Sequence, residues 1–253
     1  MYFGEVEVNR LRDVYNAEHP REHAIKTQSI DDTWNELKRR LHNKCKTGRG
    51  ECIITSLLSR PKAPKEWSVN PEEWLSSDEI DSLEKRYETL FGDYVHIGTF
   101  PIDFDAKSET GKCLVSALCS IDVKSLAQKG KNRMGIVFNT DVSTGPGEHW
   151  VAVFCDIRPE LEFPRMTYFD SYAQRPEKEI KKLMKRWKES WDATGVHSKP
   201  MALTYNKTRH QYKDSECGMY CVYFHYCCLT GISMEERVPD DVINSFRGML
   251  YAT

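Results

Sequence analysis

A helix that is apolar on every side exists only inside a domain large enough to wrap it, and Cys217 to Leu229 (CGMYCVYFHYCCL) is such a segment. Trp150 to Cys155 (WVAVFC) makes a similar demand, because a continuous apolar run of that length fits a strand covered on both faces. Met166 to Phe169 and Met201 to Tyr205 are further strand candidates. Glu177 to Trp191 reads as a helix with Ile180, Leu183, Met184, Trp187 and Trp191 on one face. Strands interleaved with helices of both kinds predict an α+β domain. The 253 residues are 40% hydrophobic and 11% aromatic, enough to build that core.

The chain is expected to divide into a helical arm, residues 1–66, and a core, residues 67–253. In the arm, Ser29 to Leu41 places Ile30, Trp34, Leu37 and Leu41 on one helix face behind an acidic start, and this stripe is expected to pack on the core. A break at KTGRGE, a short apolar run from Cys52 to Leu58 and a proline-rich linker from Pro61 to Pro71 follow. Ser76 and Glu79 then have capping-box spacing ahead of Ile80, Leu83, Tyr87, Leu90 and Phe91.

Thirty-six basic against 38 acidic residues leave a net charge of −2, which lacks the basic excess of a nucleic-acid-coating protein. The basic run Lys178 to Lys188 alternates with the apolar stripe of its helix and is read as a solvated face. No apolar stretch approaches the ~20 residues of a membrane span, and the N-terminus is charged from Glu5 onward, so neither membrane nor signal peptide is expected. Nine cysteines without an export signal are read as reduced thiols of a cytosol-like compartment.

Three short stretches carry the chemistry. A Gly-Pro-Gly turn delivers His149 to the mouth of the apolar strand, where an imidazole can act as a base. Asp170 ends another strand and is placed to accept the Nδ1 proton of His149. Cys217-Gly218 opens the apolar helix, whose free N–H groups and positive dipole end favour a thiolate and, later, an oxyanion. Gly218 would let a substrate backbone approach. Gln211, six residues before Cys217, can supply a second oxyanion donor. Taken singly, His149 reads as a core histidine and Asp170 as a turn residue; in order, the four make a base, orienter, oxyanion donor and nucleophile.

GEHWVAVF, YFDSY and HQYKDSECGMY resemble the ubiquitin-like-protein (SUMO)-specific cysteine protease family. EEWLSSDEI is similar to that family's Trp-Leu-x-Asp entry helix, with one extra residue before Asp78. FNTDVSTGPGEHWVAVF is closer to the viral branch, the polyprotein-processing proteases of African swine fever virus and related large cytoplasmic DNA viruses. The resemblance implies a permuted papain-like core, a mixed sheet flanked by helices, with catalytic His149, Asp170, Cys217 and Gln211. It also implies that Trp150 lies over the substrate, in a slot passing only glycines, so that cleavage follows Gly-Gly in a viral structural polyprotein during virion maturation. It implies the host cytoplasm and the virion as location. Where the swine fever type carries Asn, this chain carries Asp170, which adds charge in favour of a thiolate–imidazolium pair. The expected partner is a protein substrate, a Gly-Gly-Xaa polyprotein or a ubiquitin-like fusion, and no cofactor or metal is expected.

Three rival readings use the same residues. A deconjugase would cleave a ubiquitin-like modifier from lysine. An acyltransferase would use the Cys-His-acid site, although no coenzyme motif accompanies it. A metal module would draw on Cys217, Cys221 and His225, spaced every four residues, but four tetrahedral ligands seldom come from one apolar helix.

Overall fold

A computed structural model describes residues 5–18, 24–27, 29–41 and 61–251. The chain forms two compact units, Met1–Lys62 with Leu250–Thr253, and Ala63–Met249. This division falls a few residues before the proline-rich boundary read from sequence. Within the larger unit, Arg247 lies 4.7 Å above the Trp67 ring and donates to the carbonyls of Glu72 and Glu73, so the proline-rich stretch belongs to the packed structure.

In the smaller unit, α1 (Glu5–Glu18) packs against α2 (Ile30–Arg40). Ser29 caps α2 by accepting from the Asp32 N–H, and Asp31 and Asp32 occupy its positive end. Leu37 and Leu41 of the expected stripe are buried, as are Val8, Leu11 and Tyr15 of α1. The stripe therefore has a partner helix inside the arm, one that sequence patterning did not single out. The KTGRGE break, the Cys52–Leu58 run and the side chain of Leu90 lie outside the described residues.

The larger unit is α+β, built on a five-stranded mixed sheet in sequential order β1 to β5: Tyr94–Pro101, Arg133–Asn139, Trp150–Asp156, Arg165–Phe169 and Ala202–Tyr205. The two outer pairs are parallel and the inner pairs antiparallel. Every residue of β3 is buried, as its continuous apolar run requires. Its Val151, Val153 and Cys155 join the core cluster that holds Ile180, Leu183, Met184, Trp187 and Trp191 of α6 (Lys178–Asp192). Phe154 points the other way, toward α7 (Cys217–Thr230), where its ring lies 5.8 Å from that of His225. This alternation along one strand gives the sheet a helix on each side. The lysines of α6 stay outward; Lys182 reaches Asp105 and Lys188 reaches Asp192.

α3 (Ser77–Leu90) begins at the predicted box, with Ser76 and Glu79 exchanging side-chain-to-backbone hydrogen bonds, and buries Ile80, Leu83 and Tyr87. It packs on α7 and β1. Two short helices, α4 (Ser116–Ser120) and α5 (Val123–Gln128), connect β1 to β2, and α8 (Asp240–Leu250) follows α7. Among the described residues no helix is long and apolar enough to cross a membrane. One expectation is overturned: Cys113 and Cys119 are joined by a disulfide, because the Lys107–Cys113 bridge folds the chain back against the start of α4. Cys155, Cys217, Cys221, Cys227 and Cys228 are free thiols.

Candidate active site

The β2–β3 connection is a tight loop whose geometry is set by two side chains. Asn139 Oδ1 accepts from the N–H groups of Asp141 and Glu148, while the Asp141 carboxylate accepts from Gly147 N–H. Gly145 and Gly147 are needed there: a Cβ on Gly145 would strike that carboxylate at 2.1 Å, and Gly147 has φ +94°. The loop sets His149 just ahead of β3.

His149 Nε2 donates to Asp170 Oδ1 at 2.7 Å. The sequence reading had assigned this contact to Nδ1. The β3–β4 register pairs Ala152 with Phe169, so Asp170 falls opposite Val151, two residues along from His149. The ring bridges that offset with its Nε2. Nδ1 is left free of Asp170, and the neighbouring Cys217 also acts to raise the pKa of the ring. The Asp170 carboxylate is buried but satisfied, accepting in addition from the N–H groups of Tyr172 and Gln174.

Burial alone would hold His149 below its ordinary value. The hydrogen bonds to Asp170 and Cys217 outweigh it and raise the pKa to about 9. The imidazolium is therefore the dominant form at neutral pH, and it sits beside the thiol at the start of α7. No side chain caps that helix, so its first-turn N–H groups are not spent on a cap. Burial pushes the other free thiols up: Cys227 to about 11, and Cys155, Cys221 and Cys228 well above their ordinary value. Cys217 alone among the described thiols touches a histidine hydrogen-bonded to a carboxylate.

Gln211 is fully buried on the loop before α7. Its Oε1 accepts from Ser171 Oγ at 2.6 Å and its Nε2 donates to the Lys213 carbonyl at 2.9 Å. That leaves the second N–H of Nε2 for an oxyanion. Gln211→Ala is expected to lower kcat by roughly 10²–10³ with little change in KM, because this donor acts on charge present only in the transition state. A pure KM effect in steady-state kinetics would assign Gln211 to binding.

Trp150 Nε1 donates to the Leu75 carbonyl, which pins the indole over the first turn of α7. Gly218 has a different role from the one its sequence position suggested. A Cβ there would meet Leu75 Cβ at 3.1 Å and Trp150 Cδ1 at 3.3 Å, so the protein itself fills the space once assigned to substrate. Gly218→Ala should overpack this contact and cost about 1–3 kcal/mol, measurable by urea denaturation.

Tyr172 and Asn206 had no strong local signal, while Trp74 stood in the EEWLSSDEI motif. Tyr172 stacks on His149 with centroids 4.8 Å apart and carries Arg209 on its ring at 5.2 Å. Asn206 clamps the backbone of Asp170, accepting from its N–H and donating to its carbonyl. Trp74, 40% exposed, lines a cleft of about 460 Å³ together with His149, Asp170, Tyr172 and the acidic Glu148, Glu177 and Asp214. Cys217 itself is only 1% exposed.

Residues 135–252 match the sequence profile of the Ulp1 protease family, C-terminal catalytic domain. The mimivirus protein R355 of Acanthamoeba polyphaga mimivirus, assigned as a thiol protease, is 30% identical over 183 residues, 71% of this chain and 57% of that protein. The cysteine protease S273R of African swine fever virus is 33% identical over 124 residues, 47% of this chain and 44% of its own length. The chain thus spans about half the length of the curated relatives it matches. The crystal structure of the African swine fever virus pS273R protease superposes with a TM-score of 0.65 at 19% identity, covering 98% of this chain and 90% of that one. The fold of the chain is the fold of that protease.

Proposed function

We propose that the protein is a cysteine endopeptidase cleaving after Gly-Gly, on the premise that residues 135–252 match the Ulp1 protease family, C-terminal catalytic domain. The observation that carries the reading is His149, hydrogen-bonded to Asp170 and interacting with Cys217, with the sulfur at an uncapped helix start. The Cys217 thiolate attacks the scissile carbonyl while the Cys217 N–H and Gln211 Nε2 receive the oxyanion. The His149 imidazolium then gives its proton to the leaving amine, and the resulting neutral ring deprotonates the water that hydrolyses the thioester. Trp150, pinned across the start of α7, and Trp74, at the cleft wall, support a narrow approach for the residues preceding the cut.

Because the relatives are viral thiol and cysteine proteases, we further propose that the substrate is a viral structural polyprotein, processed in the infected cell and the virion. A second reading has its own support: swine fever homologues also bear the name SUMO-1 cysteine protease, and a Ulp1 protease domain of similar fold was solved with Smt3, the yeast ortholog of SUMO. Digestion of a Gly-Gly-Xaa peptide library beside a ubiquitin-like protein joined to lysine through an isopeptide bond separates the two. Linear Gly-Gly-Xaa peptides are expected to be cleaved and the isopeptide to survive. Within the library the acidic cleft wall should favour peptides carrying Lys or Arg, a preference that fades as salt is raised. Cleavage indifferent to glycine would refute the specificity; preferential isopeptide cleavage would establish the deconjugase.

A further inference from the structure

Apart from the catalytic line, Glu84 of α3, His96 of β1 and His225 of α7 turn their ligand-capable atoms together, all within 4.8 Å of one another. The side chains of Glu84 and His225 are wholly buried and that of His96 is 5% exposed. The proton inventory of this cluster is short. His225 Nε2 lies 3.2 Å from the Val153 carbonyl, which can only accept, so it donates there. His225 Nδ1 faces Glu84 Oε1 at 2.7 Å, a contact that needs a proton or a cation between the two atoms. His96 Nε2 faces Asp81 Oδ1 at 2.8 Å, which places the His96 proton there in the same way. His96 Nδ1 is then a buried lone pair 3.9 Å from Glu84 Oε2, with no hydrogen-bond partner. Tyr94, donating to Glu84 Oε2 at 2.6 Å, is the one hydroxyl donor on the carboxylate among the described residues.

A proton shared between His225 and Glu84 would answer one of these contacts and leave His96 Nδ1 unsatisfied. A divalent cation answers all three. We propose that Glu84, His96 and His225 form a zinc site. Two nitrogens and a carboxylate oxygen suit Zn²⁺, whose ligand distances of about 2.0–2.2 Å require donor atoms roughly 3–3.5 Å apart; the 2.7 Å to Glu84 Oε1 and 3.9 Å to Oε2, in a cluster spanning up to 4.8 Å, would even out as the side chains close on the ion. The outer partners fit the same role: a carboxylate on one histidine and a backbone carbonyl on the other fix both rings with their free nitrogens inward. Gly135 of β2 lets the Tyr94 hydroxyl and the His225 ring close on the strand, since a Cβ there would meet Tyr94 Oη at 2.0 Å and His225 Nδ1 at 2.9 Å. The ion would tie α3 and β1 to α7, the helix that begins with Cys217, through three protein ligands, with a water completing the tetrahedron.

The test uses the full chain with its reactive thiols alkylated by iodoacetamide, stripped with EDTA and given one equivalent of Zn²⁺ or Co²⁺. The expected result is one zinc per chain retained through desalting, a raised Tm, and an intense tetrahedral cobalt spectrum without a sulfur-to-metal charge-transfer band. His96→Gln, at the edge of the cluster, should abolish stoichiometric retention. Asp81→Asn should weaken affinity by about 10–100-fold through the orientation of His96. Failure of the unsubstituted protein to retain zinc or to shift its Tm would overturn the proposal in favour of a shared proton, as would retention that neither variant alters. None of these readouts depends on protease activity.

Discussion

Cys217→Ser is expected to reduce kcat/KM on a Gly-Gly-Xaa substrate by at least ~10⁴-fold, within the ~10⁶ that loss of a nucleophile can cost in a hydrolase triad. The replacement is nearly isosteric at a residue 1% exposed, so the fold should survive it. What is lost is specific. A serine hydroxyl beside an imidazolium is a far poorer nucleophile than a thiol. Peptide mapping after iodoacetamide gives an independent check: modification of Cys217 should outpace that of Cys155, Cys221, Cys227 and Cys228, whose burial favours the inert thiol. A serine variant with wild-type turnover, or uniform labelling of these five, would remove Cys217 from the nucleophile's role.

His149→Ala should be nearly as damaging, and the double variant little worse than either single one, because base and nucleophile act as a unit. The wild-type pH profile carries the sharper expectation. His149 is raised from 6.5 to about 9, so the protonated ring that serves the leaving amine is lost as pH rises through about 9, and kcat/KM should fall there. The same shift stabilises the folded protein fully below pH 6.5, and that contribution disappears between 6.5 and about 9. The hydrogen bond to Asp170 is a major reason for the rise. Asp170→Asn should therefore move the alkaline limb to lower pH while costing less activity than His149→Ala, since an amide oxygen still accepts from Nε2. An alkaline limb that does not move in Asp170→Asn would show that the carboxylate does not set the state of the ring.

The parts of this protein legible in its sequence are those whose physics is local. The buried strand 150–156, the helix 217–230 and the capped helix starting after Ser76 follow from apolar runs, periodicity and a four-residue cap. The ordered His149, Asp170, Gln211 and Cys217 were legible for the same reason, since each stands at the edge of an element with a turn or polar loop beside it. β1 and β2 were not singled out: His96, Gly98 and Thr99 interrupt one, Arg133 and Gly135 the other, and a mixed sheet supplies their partners from distant segments.

Chain order alone does not say which atoms meet. Only the β3–β4 register turns Nε2, rather than Nδ1, of His149 toward Asp170. Only the docking of Leu75 and Trp150 on α7 makes Gly218 a packing glycine instead of a substrate contact. His225 read along its helix falls in line with Cys217 and Cys221, yet packing sets it against Glu84 and His96, which lie on a helix and a strand more than 120 residues earlier. Sequence determined which residues can do chemistry and where each element begins, because propensity and amphipathicity act over a few residues. Tertiary structure decided the pairings, because those depend on register and helix docking, which no short segment contains.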